Sequence, residues 1–228
     1  GRSTSGLSRK LRAMPAAETA VEIETGPNPG AAVIWLHGLG ADGHDFEPIV
    51  PELRLERPVR FVFPHAPIRP VTINNGMRMR AWYDIFQFGR GTEDEAGIRA
   101  SQKLHEELIK AEHGRKVVLA GFSQGGAIVL QTALRYPERL AGVMALSTYL
   151  PLSAKVAGEA GEANKGVPIF MAHGQFDDII PIARARASRQ ALEGLGYAVT
   201  WKEYPMPHSV CAEEVGDIAG FLNEVLSD

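Results

Sequence analysis

The chain has 228 residues, 45% hydrophobic and 22% charged, which excludes a disordered protein and fits one α/β domain. One cysteine, Cys211, excludes an internal disulfide and an all-cysteine zinc site, and no apolar run approaches the roughly 18 residues of a membrane span. The net charge of −3 speaks against a nucleic-acid partner.

That charge is uneven. Arg2, Arg9, Lys10 and Arg12 fall in the first 17 positions with no acid beside them, leaving 20 basic against 27 acidic residues in the remainder. Residues 1–16 read as a basic tail, disordered or left from expression, and 17–228 as a single domain. Thr19–Thr25 alternates apolar and polar residues and ends in a Gly-Pro-Asn-Pro-Gly turn cluster. Ala31–Leu36 is continuously apolar, as a strand covered on both faces must be. Val59–Phe63, Val117–Gly121, Leu140–Leu146, Val167–Ala172 and Ala198–Tyr204 repeat that pattern.

Helical stretches separate these runs. Glu93–Glu112 carries Ala96, Ala100, Leu104 and Leu108 at helical spacing, and Gln124–Tyr136 stops before Pro137. Ile182–Leu195 ends at Gly196, and Ala212–Leu226 places Val215, Ile218, Ala219, Leu222 and Val225 on one stripe. Residues 67–88 read as a long loop, and 153–166 as a surface loop or weak helix. The alternation predicts an α/β fold, with a mostly parallel central sheet flanked by helices on both faces.

Gly121-Phe122-Ser123-Gln124-Gly125 fits G-x-S-x-G, a pattern that is weak alone. Here it lies between a strand and a helix, the context a nucleophile elbow requires. A serine hydroxyl needs a base, and the base needs an orienting group. In α/β-hydrolases these follow in the order Ser, acid, His. Downstream of Ser123 lie only His173 and His208; His208 follows the last strand, where the base belongs. Asp177 follows the fifth run, with Asp178 as its rival, and the residues alone favour Asp177 only slightly.

His37-Gly38-Leu39-Gly40 follows an early strand, so the N–H groups of Leu39 and Gln124 are the expected oxyanion donors. Glycines at 38, 40 and 43 also fit G-x-G-x-x-G, but a dinucleotide site leaves Ser123, Asp177 and His208 unexplained. No Gly-Lys-Ser/Thr follows, so the loop is not a Walker A. His37 reads as a structural hydrogen-bonding residue, and Cys211 as a small buried residue at the start of the last helix.

The blocks Leu36–Asp42, Pro67–Asp84, Gly121–Gly126, Leu146–Pro151, His173–Asp177 and Met206–His208 resemble, in the same order, the bacterial carboxylesterases of the phospholipase/carboxylesterase family. That family includes the acyl-protein thioesterases. The resemblance implies an α/β-hydrolase with Ser123 as nucleophile, His208 as base, and Asp177, not Asp178, as the acid. It implies oxyanion donors at Leu39 and Gln124, and neither metal nor cofactor. The expected reaction is hydrolysis of carboxylic esters, or thioesters, through an acyl-enzyme. Acyl-protein thioesterase or lysophospholipase activity is the alternative, and an inactive binding module the remoter one. Ile73, Trp82, Phe88 and Leu150 are the expected acyl-chain contacts. The expected partner is a small ester substrate, with no nucleic acid and no integral membrane span. A homodimer in the cytoplasm completes the expectation.

Overall fold

The computed structural model describes residues 19–87 and 91–228. The basic tail read at 1–16 and Phe88 lie outside the described residues. In chain order the elements are β1 (Ala20–Glu24), β2 (Ala31–Leu36), α1 (Ile49–Leu53), β3 (Val59–Pro64), β4 (Ile68–Val71), β5 (Met77–Arg80), α2 (Glu95–Ala111) and β6 (Lys116–Phe122). There follow α3 (Gln124–Ala133), β7 (Gly142–Leu146), α4 (Ser153–Glu159), β8 (Ile169–Gly174), α5 (Ile182–Gly194), β9 (Val199–Tyr204) and α6 (Ala212–Val225).

Seven strands form one sheet in the order β1-β3-β2-β6-β7-β8-β9. β1 lies antiparallel on β3, and the other pairs are parallel. The inner strands β2, β3, β6, β7 and β8 are covered on both faces, which explains their apolar runs, whereas the edge strands β1 and β9 alternate with exposed residues. In β2, Val33 and Trp35 point into the core that α1 and α6 close, while Ile34 and Leu36 point into the core under α2, α3, α4 and α5. Strand order reverses at β2: β3 pairs on one of its sides and β6 on the other, both parallel to it. The loops after β2 and β6 therefore leave the same sheet end beside each other, opening a crevice of the kind that holds ligands in open α/β sheets.

Two features depart from the sequence reading. Residues 67–80 are not all loop: β4 and β5 pair as a hairpin outside the main sheet, with Thr72–Asn74 as a 3₁₀ turn. The buried face of α2 is also turned from the expected stripe. Ile98, Ser101, His105 and Ile109 face inward, whereas Ala96, Ala100 and Leu104 are exposed. Trp82 is the reason. Its ring packs edge-on to His105 at 4.8 Å, and its carbonyl accepts the Ser101 hydroxyl. His105 gives its Nδ1 to the Ser101 carbonyl at 2.7 Å, and burial lowers its pKa to about 3, so it stays neutral.

One buried group has no such compensation. Glu214, in the first turn of α6, is 0% exposed, and its carboxyl oxygens make no well-formed hydrogen bond, only a weak approach to the Cys211 backbone. Burial pushes its pKa up to about 8, with Asp217 adding to the rise and the Cys211 backbone opposing it. Cys211 itself is partly buried and unpaired with another cysteine. Among the described residues no helix is long and apolar enough to cross a membrane.

Candidate active site

Ser123 stands between β6 and α3 with φ 56° and ψ −119°, a backbone conformation that costs a non-glycine residue about 1–3 kcal/mol. Its surroundings fix it there. Its N–H donates to the Leu146 carbonyl at 2.8 Å, and its own carbonyl accepts from Ala127 N–H at 3.1 Å and the Thr148 hydroxyl at 2.6 Å. The flanking glycines are needed because the turn folds back on itself. A Cβ on Gly121 would lie 2.4 Å from the Gly125 carbonyl carbon, and one on Gly125 would lie 2.3 Å from the Leu36 carbonyl oxygen.

The loops after β8 and β9 bring Asp177 to His208, with Oδ2 2.7 Å from Nδ1. The Asp177 side chain is wholly buried, so its charge must be met by donors. Oδ1 accepts the N–H groups of Ile179 and Ile180 at 2.9 and 2.8 Å, and Oδ2 takes the His208 ring. A carboxylate only accepts, so Nδ1 carries the proton and Nε2 of the neutral ring is left as the basic nitrogen. His173 lies 3.3 Å from the same Oδ2, but its Nε2 also meets the Ile180 carbonyl at 2.7 Å. Burial lowers the His173 pKa and keeps it neutral. Asp178, the rival acid, is exposed.

Gln124 opens α3, so its backbone N–H has no acceptor within the helix. Its side chain clamps the neighbouring loop: Oε1 accepts Trp82 N–H and Nε2 donates to the Tyr83 carbonyl, both at 2.7 Å. Gly38 packs against Phe122 and Ser123, which sets Leu39 beside the elbow, and Gly40 N–H bonds the Arg80 carbonyl at 2.8 Å. His37 accepts Ala66 N–H at Nε2, so Nδ1–H donates to the Gly38 carbonyl at 2.7 Å. With both nitrogens engaged and its pKa lowered by burial, His37 is a structural group.

Leu39, Ser123, Gln124 and His208 line one cavity of about 350 Å³, and Asp177 stands behind His208. The expected acyl contacts need correction. Trp82 is 0% exposed and does not line the cavity, because its indole N–H is drawn inward to the His37 carbonyl at 2.8 Å. Ile73 sits in the 3₁₀ turn, bonded to the Ile85 carbonyl, and Leu150 is buried with its N–H on Ser188; neither borders the cavity. Tyr83, Ile85, Phe86, Tyr149, Ile179 and Ile180 line it instead. Tyr83 and Tyr149 lie inside the blocks that carry the resemblance, next to Trp82 and Leu150. Their hydroxyls are 2.5 Å apart, and burial raises both pKa values.

The sequence profile of the Phospholipase/Carboxylesterase family matches residues 17–226. The chain belongs to that family. Among members of the phospholipase/carboxylesterase family, acyl-protein thioesterase 1 of Neurospora crassa is 43% identical over 213 residues, covering 86% of this chain and 87% of its own. Acyl-protein thioesterase 1 of Gibberella zeae is 40% identical, covering 86% and 91%. The crystal structure of Arabidopsis thaliana SOBER1 is similar with a TM-score of 0.81 at 31% identity, over 86% of this chain and 99% of that one. These relatives are fungal and plant proteins, and the bacterial label attached to the resemblance goes no further. The fold is the α/β-hydrolase, and the chain is a carboxylic ester hydrolase.

Proposed function

We propose that the chain hydrolyses acyl esters and thioesters through an acyl-enzyme on Ser123, with His208 as base and Asp177 as its orienting group. The observation that carries this reading is the 2.7 Å Asp177–His208 contact, at a cavity that His208 shares with a strained serine. His208 Nε2 takes the Ser123 proton as Oγ attacks the carbonyl carbon. The tetrahedral oxyanion is held by the N–H groups of Leu39 and Gln124, each worth on the order of 3 kcal/mol where such a donor has been removed. The bond to the leaving oxygen or sulfur then breaks, and that atom takes the proton from His208. Water repeats the sequence in reverse and frees the acid. Asp177 keeps the imidazole in the useful tautomer and stabilises its protonated form.

The triad does not choose between oxygen and sulfur leaving groups, so the relatives named acyl-protein thioesterase 1 support thioesters as substrates alongside esters. The apolar lining from Ile85, Phe86, Ile179 and Ile180 suits an acyl chain. The reading treats 17–228 as one catalytic domain. It carries with it a homodimer and a cytoplasmic location, to be read by light scattering and by cell fractionation.

The test is Ser123→Ala against a chain-length series of aryl esters and thioesters, with fluorophosphonate labelling of the unmutated protein. The variant is expected to fold and lose turnover and labelling together. Retention of more than about 1% of turnover would sink the assignment, since loss of a triad member costs far more.

A further inference from the structure

The ester chemistry leaves one charge on the cavity wall unused. Arg184 lies in the first turn of α5, and its guanidinium carbon is 3.6 Å from the centre of the Tyr149 ring. A guanidinium this close to the ring is held by it and also meets the Tyr149 hydroxyl, and its five N–H donors leave others for a further acceptor. Tyr149 is anchored in turn by its hydroxyl contact with Tyr83. Among the described lining residues Arg184 alone is cationic, and no Asp or Glu oxygen of the described residues lies within 4 Å of it.

Four carboxylates share the cavity border, and none of them forms an ion pair with Arg184. Glu93 accepts Leu152 N–H at 3.0 Å with Oε2, while its Oε1 is buried without a hydrogen-bond partner. Asp94 accepts the N–H groups of Gly97 and Asp84, and Asp84 accepts those of Thr72 and Ile85. Asp45 comes from the loop that carries Leu39. Arg184 is half-buried in a wall that mixes apolar and acidic residues, and a cation that has lost part of its hydration gains from an acceptor placed at its free N–H groups.

We propose that Arg184 receives an anionic oxygen group of the substrate, a carboxylate or phosphate, and so sets a preference for esters that carry one. Its planar fork matches two oxygens of such a group. The proposal rests on the serine-hydrolase reading, because it concerns the substrate of that same cavity. The anion belongs either to the acyl chain or to the leaving group, and different substrates separate the two.

Three aryl esters test this: p-nitrophenyl hexanoate, the p-nitrophenyl monoester of adipic acid, and the hexanoate of 3-carboxy-4-nitrophenol. The unmutated enzyme is expected to favour one of the charged esters over the neutral one in kcat/KM, mainly through KM. A charge-assisted hydrogen bond makes that preference at least about tenfold. Arg184→Leu should abolish the ratio, and Arg184→Lys should retain part of it. Which charged ester is favoured tells which side of the scissile bond the arginine serves. Ratios at or below one for both charged esters would overturn the proposal, and so would a preference that Arg184→Leu leaves unmoved. If Arg184→Leu does not fold, the unmutated ratios and Arg184→Lys still decide. Failure of the unmutated enzyme on the neutral ester is a different result: it defeats the serine-hydrolase reading itself.

Discussion

Glu214→Gln removes the buried carboxyl of α6 at nearly constant volume. In the unfolded chain this group titrates near its ordinary value of 4.5, and in the folded protein near 8. A carboxyl whose folded pKa is raised favours the folded state fully below about pH 4.5, and that contribution is lost as pH rises through about 8. Between the two values the unfolded chain has released a proton that the native state keeps. Native stability therefore falls by about 1.4 kcal/mol per pH unit from this group. The whole gap is worth about 5 kcal/mol, of which roughly 3 is already lost at neutral pH. Glutamine does not titrate. Its own unpaired amide shifts stability by the same amount at every pH, so the pH dependence isolates the ionisation. Urea unfolding at about pH 5, 6.5 and 8, with equal m-values, gives the difference between variant and unmutated protein. That difference should swing by about 3 kcal/mol in favour of the variant from the lowest pH to the highest. A difference constant to within about 0.5 kcal/mol would refute the reasoning and mean that the carboxyl is hydrated or paired in solution.

Two further contrasts follow from the geometry. Asp177→Asn should lower kcat by about three to four orders of magnitude by misplacing the His208 proton, while Asp178→Asn leaves steady-state rates near those of the unmutated enzyme; equal losses would remove the distinction between the two acids. Gly125→Ala drives a Cβ to 2.3 Å from the Leu36 oxygen and 2.6 Å from that of His37, so it should lower the urea midpoint by the equivalent of about 3 kcal/mol or more. Gly158→Ala, in α4 with nothing within 4 Å, should raise it by the equivalent of about 0.5–1 kcal/mol. A midpoint for Gly125→Ala no lower than that of Gly158→Ala would show that the elbow is not packed against β2 as described.

The parallel strands were legible because burial on both faces leaves only apolar residues in Ala31–Leu36 or Val117–Gly121, a signal that needs no knowledge of neighbours. The Ser123 turn was legible for a similar reason, since its glycines answer a local clash. The β4–β5 hairpin was not read, although Asn75-Gly76 and the alternation Met77-Arg78-Met79-Arg80 carry a hairpin pattern. Pro70 and the lack of β-branched residues in β5 weakened it. The buried face of α2 is hidden in the sequence because Ser101 and His105 look polar in isolation and are buried only through Trp82. Trp82 was assigned to the acyl cavity by residue type, while its indole partner, the His37 carbonyl, lies 45 positions away. Arg184 carries no local signal at all: its place at the cavity depends on Tyr149, from a different strand end.

The hairpin that the sequence hid also divides the molecule. Asn75 and Gly76 are exposed, both with positive φ, at a tip outside the main sheet. A break there would leave Ser123, Asp177 and His208 in one fragment and Leu39 in the other. The fragments would meet along the β2–β6 ladder, from Ala31 beside Lys116 to Leu36 beside Gly121, with His37 closing on Trp82 just beyond it. Neither half alone would hold both of the proposed oxyanion donors. Turnover of a coloured ester would then count reunited halves, making this enzyme a split reporter whose seam is its own active-site crevice.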